Sequence, residues 1–138
     1  MALKLKLKAV PPSLRERRRY VVFELESMKE GEARTVSFIN IADELSRSLG
    51  RLVGDLGLAG AGFQLLPGLR RVGKQRVRAI ARVGHLYVDH FRASLALLKR
   101  VGECAVLARS IVATGSLRKA KQLLAAEAGM QLRERAYE

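Results

Sequence analysis

Residues 11–27 read Pro-Pro-Ser-Leu-Arg-Glu-Arg-Arg-Arg-Tyr-Val-Val-Phe-Glu-Leu-Glu-Ser, a cationic segment that runs without a break into an apolar one. Pro11 and Pro12 resist helix and hold the chain extended. Over residues 20–25 the side chains are mainly β-branched or aromatic. They alternate, with Val21, Phe23 and Leu25 set against Val22, Glu24 and Glu26, which predicts a strand with one firmly buried face. Arg15, Arg17, Arg18 and Arg19 stand before that strand with only Glu16 opposing them. A charge run is ordinarily a solvated surface, so this one gains meaning only from the rest of the chain.

Following the chain from there, residues 28–34 are polar and hold Gly31, a loop. Ser37 is the expected N-cap of a helix in which Ile41, Leu45, Leu49, Leu52, Val53 and Leu56 recur at helical spacing through Asp55. Gly57, Gly60 and Gly62 close it, and residues 61–66 read as a short second strand. After a turn at Pro67 and Gly68, residues 75–83 alternate, with Val77, Ala79, Ala81 and Val83 opposite Arg76, Arg78, Ile80 and Arg82. This third strand should form a hairpin with the second and carry a cationic outer face. Residues 87–100 return to helical spacing through Val88, Phe91, Leu95 and Leu98, with Gly102 as the stop. Residues 103–113 form an almost wholly apolar fourth strand. Thr114, Gly115 and Ser116 then turn the chain into a third helix whose apolar side is Leu117, Ala120, Leu124, Ala128 and Leu132.

Strand, helix, strand, strand, helix, strand, helix is the α/β (α+β) order of a ferredoxin-like, RRM-like split βαβ sandwich. It predicts a four-stranded antiparallel sheet packed with helices, plus a C-terminal helix from about residue 116. Right-handed crossovers put the first two helices on one face and make the first and third strands the central pair. Residues 11–138 are expected to form one such domain. Residues 1–10, with Leu3, Leu5 and Leu7 alternating with Lys4, Lys6 and Lys8, are expected to be a basic, mobile arm.

The chain has 138 residues, enough for a single core that buries roughly 68% of the unfolded surface without a metal or disulfide staple. Its lone cysteine, Cys104, excludes an internal disulfide. The first residues hold no apolar run of a secretory signal, and the longest uncharged stretch, 56–69, is too short and too broken to span a membrane. A soluble, cytoplasmic protein with no membrane partner is expected. With 26 Lys and Arg against 13 Asp and Glu, the formal charge is +13. That excess implies a polyanionic partner, most often nucleic acid. Of the cations 18 are Arg and 8 Lys, which favours the planar fork that grips phosphate at two points.

Two clusters concentrate this charge. Arg76, Arg78 and Arg82 share one strand face, and with Arg70, Arg71 and Lys74 they put six cations and no anion into residues 68–84. The plain alternative is a sheet face partly neutralised by Glu24 and Glu26. The third strand lacks the aromatic residues with which RRM sheets stack bases, so contact with the backbone of folded RNA is the expected mode. In the second cluster, Arg118, Lys119 and Lys121 occupy the first turns of a helix, where acidic residues normally complement the helix dipole. That placement is reasonable if a phosphate sits there and is otherwise a repulsion screened by salt. The other signals are bland. Gly57, Gly60 and Gly62 follow a helix, the reverse of a dinucleotide fingerprint. His85 and His90 have no third ligand nearby, and no catalytic set stands out.

Taken together, Pro11-Pro12-Ser13-Leu14-Arg15-Glu16-Arg17-Arg18-Arg19-Tyr20 with its following strand, and Thr114-Gly115-Ser116-Leu117-Arg118-Lys119, resemble the ribonuclease P protein component 2 family of archaeal ribonuclease P, shared with the eukaryotic enzyme. Residues 76–83 and 85–91 are similar in arrangement, and the likeness spans about residues 11–121. The resemblance implies a subunit that works with ribonuclease P RNA and with a larger barrel-shaped protein, component 3, in removing the 5′ leader of precursor tRNA. It implies that the RNA and its Mg²⁺ ions do the chemistry, with no cofactor held by the protein itself. By the same likeness Arg15, Arg17, Arg18, Arg19, Arg118 and Lys119 are RNA contacts, and a homodimer within a heterotetramer is compatible with it. Two rival readings are another RNA-binding protein, ribosomal or RNA-chaperone, on a ferredoxin-like fold, and a ferredoxin-like ligand-binding or catalytic domain.

Overall fold

The computed structural model describes residues 17–29 and 36–125. The basic arm at 1–10, the stretch 11–16 with Arg15, and the helix positions Ala128 and Leu132 lie outside the described residues.

The expected first strand is present as β1 (Arg18–Ser27). It is paired on both edges: antiparallel to β4 (Arg76–Gly84) from Arg18↔Gly84 to Glu26↔Arg76, and antiparallel to β6 (Cys104–Thr114) from Tyr20↔Thr114 to Ser27↔Val106. The first strand and the 75–83 strand are therefore neighbours, as the sequence order predicted. Val21, Phe23 and Leu25 are buried on one face together with Val77, Ala79, Ala81 and Val83 of β4.

Two helices cover that face. In α1 (Phe38–Ala61) Ser37 is the N-cap that its spacing predicted, its side chain accepting the Asn40 amide at 3.2 Å. Ile41, Leu45 and Leu49 are buried, but Leu52 and Leu56 are exposed. For Leu56 the reason is Gly54, which breaks the helix with φ 76 and ψ 177. The break resets the helical phase, so Leu58 and Ala61 return to the core in place of Leu56. The helix continues past Gly57 and Gly60, and Gly62, the last of the three glycines expected to close it, caps it in the left-handed conformation.

After a short 3-10 turn at His85–Tyr87, α2 (Val88–Leu97) carries Phe91 into the centre. The Phe91 ring meets Phe23 edge-on at 5.9 Å and stacks on Phe63 at 5.6 Å, tying strand, helix and the α1 exit together. Small residues let the helices approach. The Ser48 hydroxyl donates to the Ser94 carbonyl at 2.9 Å, and the Ser94 hydroxyl to the Phe91 carbonyl at 2.7 Å.

Among the described residues the antiparallel sheet has six strands where four were expected. The edge beside β4 is in two pieces, β2 (Gln64–Leu65) and β3 (Arg70–Val72), because Pro67 has no N–H to donate and Gly68, at φ 100, turns out of the ladder. On the far side, β5 (Arg100–Val101) forms a tight hairpin with β6 through Gly102 at φ 61, so α2 stops at Leu97 and not near Arg100. The strand order is β2-β4-β1-β6-β5, with β3 also paired to β4.

The second face differs from the expected open cationic surface. Helix α3 (Leu117–Ala125) lies on it, packing Ala120 and Leu123 against Val22 and Ile80. Tyr20, Leu66, Ile111 and Val112 flank this smaller core. Ile80 interrupts the arginine face of β4 because it is the contact for that helix.

Gly54 sits in a backbone region that is essentially restricted to glycine, with nothing within 4 Å of an added Cβ. Gly54→Ala is therefore expected to lower the unfolding free energy by about 1–3 kcal/mol through backbone strain alone. Urea denaturation measures this, and an unchanged midpoint would show that the break is not needed.

Candidate nucleic-acid interface

The second sheet face divides along its length. At the end away from α3 lies Glu24, only 3% exposed, with register partners Arg78 on β4 and Arg109 on β6. Arg109 donates through Nε at 3.0 Å and Nη2 at 2.9 Å to Glu24 Oε2. Arg78 Nε lies 3.6 Å and Arg76 Nε 3.8 Å from Oε1, while Arg76 and Arg109 each also lie 3.8 Å from Glu26. Three guanidinium groups thus enclose two carboxylates. Arg78 is 2% exposed and internal to this network, and Arg76 and Arg109 cover it with about half of each side chain in solvent. A buried carboxylate costs several kcal/mol to desolvate and is tolerated because cations reach it from both neighbouring strands.

The opposite end of the sheet is built differently. Here β1 begins, β4 and β6 end, and α3 starts. The Arg17 carbonyl accepts the His85 amide at 2.8 Å and lies 3.0 Å from its ring Nδ1. A carbonyl cannot donate, so Nδ1 carries the hydrogen. Arg18 is paired with Gly84 and Arg19 with Val83, and Tyr20 faces Thr114. The Arg19 guanidinium lies against the Thr114–Ser116 turn, with Nη1 2.9 Å from the position a Cβ on Gly115 would take.

That turn starts α3 by local chemistry. The Ser116 amide donates to the Thr114 hydroxyl at 3.2 Å, the Ser116 hydroxyl accepts the Lys119 amide at 3.3 Å, and the Ser116 carbonyl accepts the Ala120 amide at 3.0 Å. The first turn holds no acidic residue, and it presents Arg118 on its exposed side. Lys119 is half-buried and Lys121 exposed.

The structure therefore brings Arg17, Arg18 and Arg19 to the same end of the sheet as Arg118 and Lys119, although about a hundred residues separate them in the chain. Arg82, whose guanidinium donates to Gln64 and which pairs with Tyr20, belongs to this end. Arg76 and Arg78 do not. They lie roughly 14 and 20 Å from Arg82 along β4 for Arg78 and Arg76 respectively, at about 3.4 Å per residue, and are engaged with the carboxylates. Two contributors escaped the sequence reading. Arg109 could be found only from the strand register, and Gly115 only from the approach of Arg19. Among the described residues no three His, Cys, Asp or Glu side chains cluster to hold a metal ion. No described helix is long and apolar enough to cross a membrane.

A sequence model of the Rpp14/Pop5 family matches residues 19–125. The chain belongs to this family. The match opens at Arg19 and takes in the sheet, apart from Arg18 at the start of β1, and α3, so it contains Arg82, Arg118, Lys119 and Lys121 and leaves Arg17 and Arg18 just before it. Ribonuclease P protein component 2 of Pyrococcus abyssi is a relative, 27% identical over 125 residues, 91% of this chain and 98% of its own length. Among solved structures, a chain of yeast ribonuclease MRP is similar in fold, with a TM-score of 0.56, 17% identity, and 86% of this chain and 88% of that one covered. A mixed α/β fold is thus shared with that chain at low sequence identity.

Within this family member, Glu24 is expected to matter for stability and not for contact. Glu24→Gln removes the buried carboxylate that Arg76, Arg78 and Arg109 share and should cost about 3–5 kcal/mol, whereas Arg76→Ala, at the solvent edge, should cost about 1 kcal/mol or less. Chemical denaturation of the two variants checks this. Equal losses would mean that the network is one surface cluster without a buried centre.

Proposed function

We propose that this chain is a non-catalytic, RNA-binding protein subunit of ribonuclease P that binds the catalytic RNA and supports removal of the 5′ leader from precursor tRNA. The observation that carries the proposal is the convergence of Arg17, Arg18 and Arg19 with Arg118 and Lys119 on one end of the sheet. Family membership and the Pyrococcus abyssi relative give that cationic end its context. The likeness to a chain of yeast ribonuclease MRP is a likeness of fold, and a ribonucleoprotein complex of that kind fits the same reading.

In this reading β2 and β3 are one edge strand interrupted at Pro67. With β5 taken as a hairpin extension of β6, the order becomes that of the ferredoxin-like split βαβ. The RNA-facing set is Arg17, Arg18, Arg19, Arg82, Arg118, Lys119 and Lys121, and Arg15 adjoins it in sequence. Arg78 and the inner side of Arg76 serve the fold. The protein neutralises phosphates and holds the RNA in its active shape, while hydrolysis belongs to the RNA and its Mg²⁺ ions. The partners are ribonuclease P RNA, component 3 and precursor tRNA, and the setting is cytoplasmic.

A helix that begins with Arg118 and Lys119 carries the wrong charge for its own dipole. Arg118→Glu is therefore expected to raise the thermal unfolding temperature or leave it unchanged, while weakening RNA binding and lowering the salt slope of binding by about 1 or more. Reconstitution with ribonuclease P RNA and component 3, scored by precursor-tRNA cleavage with and without this chain, tests the function itself. A folded chain that fails to stimulate cleavage and binds a plain RNA duplex equally well would favour a general RNA-binding protein.

A further inference from the structure

Gly115 lies in the exposed turn between β6 and α3, and conformation does not account for it. It is absent from the glycines with positive φ, which are Gly54, Gly62, Gly68, Gly73 and Gly102. An L-residue could adopt its backbone. Among the described residues, what a side chain there would meet is the Arg19 guanidinium alone, with Nη1 at 2.9 Å and Cζ at 3.6 Å from the added Cβ. A contact under 3.0 Å forces a shift, and since the atoms met are the far end of a flexible side chain, Arg19 is what moves.

We propose that Gly115 is a positioning residue for RNA binding: the volume its missing side chain leaves is where the Arg19 guanidinium rests against the β6–α3 turn, placed to take an RNA phosphate. The inference rests on the RNA-binding reading of this end of the sheet. The Arg19 cation stands at the turn that leads into a helix whose first turn holds Arg118 and Lys119 and no acidic residue, and a polyanion at this end offsets like charge that no described carboxylate answers. Arginine grips phosphate in the plane of its fork, so a displacement of a few tenths of an ångström or a tilt is felt in binding while the strand beneath stays put. The Arg19 backbone is fixed by its pairing with Val83, which leaves the side chain as the only part free to yield.

The test measures binding of an in vitro transcribed ribonuclease P RNA across a salt series for the wild-type chain, Gly115→Ala, Arg19→Ala and the double variant, with thermal unfolding in parallel. Gly115→Ala is expected to unfold like the wild type and to lower the salt slope by up to about 1, as Arg19→Ala does. It should add nothing once Arg19 is truncated. If Gly115→Ala binds with wild-type affinity and slope while Arg19→Ala does not, the inference is overturned and the RNA-binding reading stands. Additive losses in the double variant overturn it too. If neither Arg19→Ala nor Gly115→Ala changes the slope, the reading of this end fails and the inference with it. Should Gly115→Ala unfold early, the double variant decides: restored stability supports a clash with Arg19, and unrestored stability assigns Gly115 to the turn.

Discussion

Glu24 sits in a strand that is hydrogen-bonded along both edges, so its carboxylate can be neutralised only from the strands on either side, and register delivers Arg78 from one and Arg109 from the other. This pairing of a central carboxylate with flanking guanidinium groups is what lets β1 be buried on both faces. Val21, Phe23 and Leu25 then anchor α1 and α2, and Val22 anchors α3. Once β1 is held from Arg18 to Ser27, its first residues have no freedom to lie elsewhere. The end of β4, the end of β6 and the start of α3 all meet there.

The chain's positive charge is thereby sorted into two kinds. Arg76, Arg78 and Arg109 answer Glu24 and Glu26, and their net excess over those carboxylates is a single charge. Arg17, Arg18, Arg19, Arg118 and Lys119 have no described carboxylate in an ion pair with them. Residues that look alike in sequence thus do opposite work, some supporting the sheet and others left with their charge outward.

The sequence carried the architecture because alternation and spacing report burial directly. Ser37 reads as a cap, Val77 to Val83 as an inward face, and the order of elements makes β1 and β4 neighbours. It failed where geometry depends on something that periodicity does not encode. Helical spacing runs straight through Gly54, so nothing in it foretold that Leu56 would face solvent. The bulge between Val22 and Phe23 is the sharper case. Had the Val22↔Val112 register run on through Ile111 without a shift, Arg109 would stand opposite Leu25 and point into the core, since a one-residue slip turns every side chain to the other face. With the shift, Arg109 reaches Glu24, and Ser110 faces inward to accept a hydrogen bond from Arg92 at 3.2 Å. The third-strand arginines looked like one surface because their spacing put them on one face. That α3 would cover the middle of that face, at Ile80, depended on where the last helix came to rest.

A basic end assembled from opposite extremes of the domain couples folding to binding. In the free chain the guanidinium of Arg19, the dipole of α3 and the charges of Arg118 and Lys119 repel one another across the β1–β6 pairing, and they do so only when the sheet is formed. The unfolded chain, in which the two segments are far apart, does not feel this repulsion. A polyanion that bridges them therefore binds the folded state in preference and stabilises it by mass action. Salt then acts with opposite sign on the two states: it screens the repulsion in the free protein and weakens the attraction in the complex. Any stability lost at this end in isolation is thus the counterpart of the affinity that a bridging polyanion would gain there, while the Glu24 network, in which two carboxylates offset two of three guanidinium charges, holds the sheet together in both states.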